Sequence, residues 1–173
     1  MTATSAKLLI DGFERVREAV AETLAGLSQE ELDWRGADGH TNPIGWLVWH
    51  LTRVQDLQVA DLAELPEVWQ AQEWQARFAL PYPPDASGYG ASSAQVGAFS
   101  APAELLAGYH EAVHRQSVDY LAALKQGEFD RIVDEGWDPP VTLAVRLVST
   151  LADDLQHVGQ AALVRGAVRR RRG

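Results

Sequence analysis

Four long stretches of this 173-residue chain repeat their apolar residues every three or four positions, and almost nothing alternates in the two-residue rhythm of a strand. Such a chain must fold as amphipathic helices packed on one another. Leu9, Phe13, Val16, Val20, Leu24 and Leu27 mark the first helix. Ser28 followed by Glu31 is a capping-box pair, so a short extra turn is expected there, burying Leu32 and Trp34. The second helix is expected from Asn42 to Ala63, with Pro43 in its first turn and Pro66 closing it off. The third should start after Ser100 as N-cap and run to about Gln126, with Gly127 as its stop. Its stripe is Leu106, Tyr109, Val113, Ser117, Tyr120 and Leu124. A turn-rich connection over 127–140 leads to the fourth helix, Pro140 to Val168. Here Ala144, Leu147, Val148, Leu151, Leu155, Val158 and Ala162 share a face. The reading is one all-α domain over residues 1–168, an up-and-down four-helix bundle, followed by a basic tail at 169–173.

Between the second and third helices lie about 35 residues that belong to no long helix. They hold Trp69, Trp74, Phe78, Tyr82, Tyr89 and Phe99 among prolines and glycines. That aromatic content buries too much area to stay open, so the segment should be an ordered crossover. One short helix is expected around Glu67 to Phe78.

The chain has no cysteine, which excludes disulfides, thiolate metal ligands and a cysteine nucleophile. Fifteen Lys and Arg oppose 24 Asp and Glu, a net charge of −9. Four of those positives are Arg169 to Arg172, which leaves eleven against 24, or −13, on the rest. So acidic a body repels phosphate backbones, and no nucleic-acid partner is expected. No apolar run reaches the 18 or so residues of a membrane span, so a cytoplasmic protein without a membrane partner is expected. There is no P-loop, and Gly88-Tyr89-Gly90 lacks the flanking strand and helix of a dinucleotide site.

Three histidine positions bear on chemistry. Trp46, Leu47, Val54 and Leu57 fall within about 60° of the direction of His50, which therefore points into the bundle. It is either a core histidine bonded to a neighbour or a ligand. In Asp153-Asp154-Leu155-Gln156-His157 an acid lies one turn before a histidine, the spacing of a ligand pair or of a plain helix ion pair. The main stripe of that helix centres near Leu151, and His157 lies roughly 120° from it, with Asp153 further round. Leu143, Thr150, Ala161 and Val164 give that side some apolar character. Asp154 is nearer the stripe and is the rival ligand. Finally, His110-Glu111-Ala112-Val113-His114 matches the zinc-protease pattern H-E-x-x-H. His110 falls inside the third stripe, His114 at its margin and Glu111 well outside. Without a further ligand or a substrate-binding strand the match reads as incidental or as a substrate contact, and a zinc hydrolase is the third-ranked function.

Asn42-Pro43-Ile44-Gly45-Trp46-Leu47-Val48-Trp49-His50-Leu51, together with Asp153 to Gln160 and its H-x-G-Q ending, resembles the DinB/YfiT-like family. The branch it resembles is the actinobacterial one, alongside mycothiol-dependent maleylpyruvate isomerase. Leu27 to Arg35 fits the same pattern. The resemblance implies a four-helix bundle holding one divalent ion on His50, Asp153 and His157, with aspartate where the family has histidine or glutamate. Two imidazoles and one carboxylate leave coordination positions open. Zinc is the first choice, and nickel, iron or manganese suit the same donors. The resemblance further implies a low-molecular-weight thiol as co-substrate and an S-transferase or isomerase-like reaction on a small molecule. Trp69, Trp74 and Tyr82 would wall a pocket beside the ion, with Trp46 and His110 as further contacts. Arg53 would face an anionic group or pair locally. The alternative is a non-catalytic bundle that binds a small apolar ligand or dimerises, and a homodimer is one expected assembly.

Overall fold

A computed structural model describes residues 3–171. Four long helices form the bundle: α1 (Thr4–Leu24), α3 (Ile44–Ala63), α7 (Ala103–Ala123) and α8 (Leu143–Arg171). Short helices fill the connections: α2 (Gln29–Leu32), α4 (Val68–Ala71), α5 (Trp74–Phe78) and α6 (Ser93–Gly97), with a 3-10 turn over Gln126–Asp130. The Ser28–Glu31 capping box is formed at the start of α2, and Leu32 is buried behind it.

The all-α four-helix bundle is as expected, but its helix directions run up-down-down-up. Glu14 meets His114 and Ser5 meets Gln126, so α1 and α7 are antiparallel. His50 meets His157 and Gln58 meets Arg146, so α3 and α8 are antiparallel too. Thr52 meets His110 and Leu62 meets Tyr120, which makes α3 and α7 parallel. The physical reason is the crossover, long enough to return the chain to the end where α3 began.

That crossover packs on the outward face of α3, which explains why α3 is buried on nearly every side from Ile44 to Asp56. Asp56 accepts from the backbone N–H groups of Val68 and Trp69, both at 2.8 Å, and from the Tyr109 hydroxyl at 2.7 Å. Arg53 donates to Glu67 at 2.9 Å and to the Ala86 carbonyl at 3.1 Å. Two fully buried charged side chains thus fasten the crossover.

Three boundaries differ from the sequence reading. The expected helix over 67–78 is broken into α4 and α5. Ser100 does not cap α7; its hydroxyl donates to Asp33 at 2.7 Å and ties the crossover to α2. Gly127 lies inside the 3-10 turn, and the connection beyond it pairs β1 (Ile132–Asp134) with β2 (Val141–Thr142) as an antiparallel hairpin. At the other end α8 continues through Arg169, Arg170 and Arg171, with the Arg171 guanidinium 4.9 Å from the Trp34 ring. Arg172 and Gly173, also placed in the tail, lie outside the described residues. No described helix is long and apolar enough to cross a membrane.

The buried face of α8 is Leu143, Leu147, Thr150, Asp154, Val158, Ala161, Val164, Arg165 and Val168. Val148 and Leu155 of the expected stripe are 57% and 46% exposed. The helix is rotated toward the face that Leu143, Thr150, Ala161 and Val164 already marked, and this rotation carries His157 and Asp153 to the edge of α3.

Candidate metal centre

His50, Asp153 and His157 each offer one donor atom, and these three atoms lie within 4.8 Å of one another. Donor atoms gathered that closely could be shared by one small cation. The imidazole rings of His50 and His157 meet edge to face, with centroids 4.8 Å apart.

Each ring is oriented by its other nitrogen. His50 Nδ1 lies 2.6 Å from the Ser87 carbonyl oxygen, which can only accept, so Nδ1 carries the proton and Nε2 is the free base. His157 Nδ1 lies 3.0 Å from Gln160 Oε1, and its Nε2 faces Asp153 Oδ1 at 3.6 Å. Carbonyl partners behind the rings are what metal-binding histidines use to fix tautomer and direction. Trp46 stacks on His50 at 4.8 Å and 17°, closing its other side. Burial, opposed by the Ser87 hydrogen bond, holds the His50 pKa below its ordinary value. The ring is therefore neutral near pH 7, the form a metal requires.

Asp153 Oδ2 is buried and has no hydrogen-bond partner. A carboxylate oxygen in that condition is costly unless a cation compensates it, so the donor set fits a divalent ion. Asp154, the rival, is fully buried on the inner face of α8, and burial pushes its carboxyl well above the ordinary range. Asp154 faces the core away from the rings, and Asp153 is the acid that clusters with the histidines.

Gly88 was not anticipated in this role. Its φ is +91°, and a Cβ there would stand 2.8 Å from His50 Nδ1 and 3.0 Å from both Trp46 and Trp49. The crossover reaches His50 closely only because residue 88 has no side chain. The sequence signal was present in the Gly-Tyr-Gly stretch, but nothing in the sequence linked it to a histidine 38 positions earlier.

The H-E-x-x-H match does not assemble. His110 Nδ1 is 3.1 Å from Thr52 Oγ1, His114 Nε2 is 2.7 Å from Glu14, and Glu111 sits on the outside near Arg17 and Arg115. His50, Asp153 and His157 are the one cluster of this kind among the described residues. A zinc hydrolase built on residues 110–114 is thereby corrected.

The expected pocket is corrected as well. Trp69 and Trp74 are core residues, Tyr82 donates to the Gln95 carbonyl at 2.6 Å, and Arg53 and His110 are enclosed. None of these five borders the cleft that contains His50 and Asp153. Trp46 alone of the named contacts stays at the centre, stacked on His50. The cleft, about 610 Å³, is walled instead by Val54 and Leu57 of α3, Tyr89 of the crossover, Trp137 and Val141 of the hairpin region, and Val145 of α8.

The fold is thus a four-helix bundle in which two imidazoles and a carboxylate cluster at the edge of two antiparallel helices, a group that could hold a metal ion. The sequence profile of the DinB superfamily matches residues 12–161. The chain belongs to the DinB superfamily. A conserved protein from Enterococcus faecalis, known from its crystal structure, is similar over 95% of this chain and 96% of its own, with a TM-score of 0.86 and 31% identity. No curated protein matches the chain.

Proposed function

We propose that this DinB-superfamily protein binds one divalent ion on His50, Asp153 and His157 and uses it to transfer a low-molecular-weight thiol to a small electrophile. The observation that supports this reading most is the pair of histidines whose Nδ1 atoms are committed to Ser87 and Gln160 while both rings keep a donor atom within 4.8 Å of the same carboxylate. Family membership adds support, since DinB proteins are typically metal-binding. A divalent ion held by His50, Asp153 and His157, zinc first among the candidates, would supply a Lewis acid able to lower the pKa of an incoming thiol toward neutral pH. The remaining work falls to the chain. Ser87 and Gln160 fix the directions of His50 and His157, Trp46 shields one side of the His50 ring, and the 610 Å³ cleft admits the electrophile to the open side. In the reaction a carbon–sulfur bond forms, the thiol proton passes to solvent, and the electrophile's leaving group departs or its double bond accepts the proton. The absence of cysteine fits this scheme, because no resident thiol competes for the site.

The test is elemental analysis of purified protein after zinc loading, comparing wild type with His157→Ala. Stoichiometric zinc in the wild type and little in the variant is expected. Equal zinc in both would overturn the proposal and leave the non-catalytic ligand-binding bundle as the better reading.

A further inference from the structure

We infer that the cleft beside His50 and Asp153 is a recognition site for an uncharged ligand with a planar apolar body, and that Trp137 and Tyr89 are its specificity-determining residues. The inference deepens the proposed function, resting on it for the role of the cleft floor. Tyr89 is 92% exposed and Trp137 68% exposed, although large aromatics are costly to leave in water. Both border the same cleft, together with Val145 at 52% exposed, and they come from three separate segments. Exposed apolar side chains gathered on a concave surface mark a binding site.

The charge of the cleft decides the class of ligand. Among its lining residues Arg146 is the one permanent cation, and both its terminal nitrogens are engaged: Nη1 donates to Gln58 at 3.0 Å and Nη2 to Asp134 at 2.8 Å. Asp134 also accepts from the Gly136 N–H at 2.9 Å, which fixes the turn that carries Trp137. An anionic substrate group would find no free cation on the walls, and Asp134 and Asp153 would repel it. The wall is built for a neutral apolar group, held in place by a hairpin that Arg146 anchors to α8 and α3.

The experiment titrates the neutral fluorophore N-phenyl-1-naphthylamine into metal-free and zinc-loaded protein, then displaces it with 4-phenylbutyramide or with 4-phenylbutyrate. One saturable site is expected in both forms. In metal-free protein the amide should displace the dye roughly tenfold better than the carboxylate, the difference a buried unpaired charge imposes. Trp137→Ala and Tyr89→Ala should each raise the dye Kd roughly fivefold with zinc content unchanged, since loss of one aromatic contact is worth about 1 kcal/mol. Both residues are exposed, so neither substitution threatens folding. No saturable binding, indifference to both substitutions, or preference for the carboxylate would overturn the inference. Protein that takes up zinc but fails these arms sinks the cleft assignment alone, whereas protein that binds the dye but takes up no zinc sinks the metal reading alone.

Discussion

Two pairs of histidines sit at neighbouring levels of one bundle, and their surroundings give them different partners. His50 and His157 come from different helices and meet at one edge, where each has a carbonyl on its Nδ1 and the Asp153 carboxylate within 4.8 Å of a donor atom. His110 and His114 come from one helix in the sequence order of a metal motif, yet one is tied to Thr52 and the other to Glu14. Spacing along a helix brings side chains near each other; it does not supply a third donor or an opening to solvent. The tertiary edge between α3 and α8 supplies both, and the interior beside α7 supplies neither.

The sharpest way to break this contrast is to remove one histidine from each pair. His50→Ala should weaken zinc binding by roughly 100-fold or more, beyond the loss expected from an outer partner, while His114→Ala should leave it essentially unchanged. Competition with a chromophoric chelator reads both, and the reverse ranking would dissolve the comparison. Next in size is Gln160→Leu, which keeps all three donors but frees the His157 ring; a roughly 10- to 100-fold loss of zinc affinity is expected in the same assay.

The interior pair should show itself in acid rather than in metal binding. Burial drives the His110 pKa down to about 3 from an ordinary 6.5, so the unfolded chain takes up a proton below pH 6.5 and the folded form does not. Stability is therefore lost as pH falls from 6.5 toward 3. Between pH 7 and 5 the metal-free protein should lose about 2 kcal/mol through this group, measured by urea unfolding, and His110→Gln should flatten that dependence. The smallest effect is expected for Gly88→Ala. A Cβ pressed on His50 in left-handed backbone should cost about 1–2 kcal/mol of stability and reduce zinc affinity with it. An alanine variant as stable as wild type would show that the crossover does not press on His50 as described.

Much of the fold was legible because helix periodicity and capping are local. The Ser28–Glu31 box formed as read, and α3 ends at Ala63 where Pro66 announced it. The α8 stripe misled by rotation. Counting apolar residues selected Val148 and Leu155, whereas burial selected Thr150 and Asp154, because the neighbouring helices can enclose a polar side chain that no periodicity scale rewards. The short strands at 132–134 and 141–142 escaped notice for a similar reason: five residues are too few for an alternation to stand out. The cleft escaped because its walls, Tyr89, Trp137 and Val145, belong to three different segments, the crossover, the hairpin and α8.

The amino-acid order alone established a helical bundle with a long aromatic crossover, while two histidines and an acid a hundred residues apart were singled out by their resemblance to the DinB/YfiT-like motifs. Local forces suffice for the bundle: 3.6-residue periodicity, caps and breakers act within a few turns of chain. Which carboxylate joins the imidazoles, which nitrogens stay free, and which loop walls the opening were settled only when α8 turned its Asp153 edge toward α3 and the crossover laid Ser87 and Gly88 against His50. Those outcomes depend on packing between segments remote in sequence, where the energy of one arrangement over another is decided by burial and hydrogen bonding across helices rather than along them.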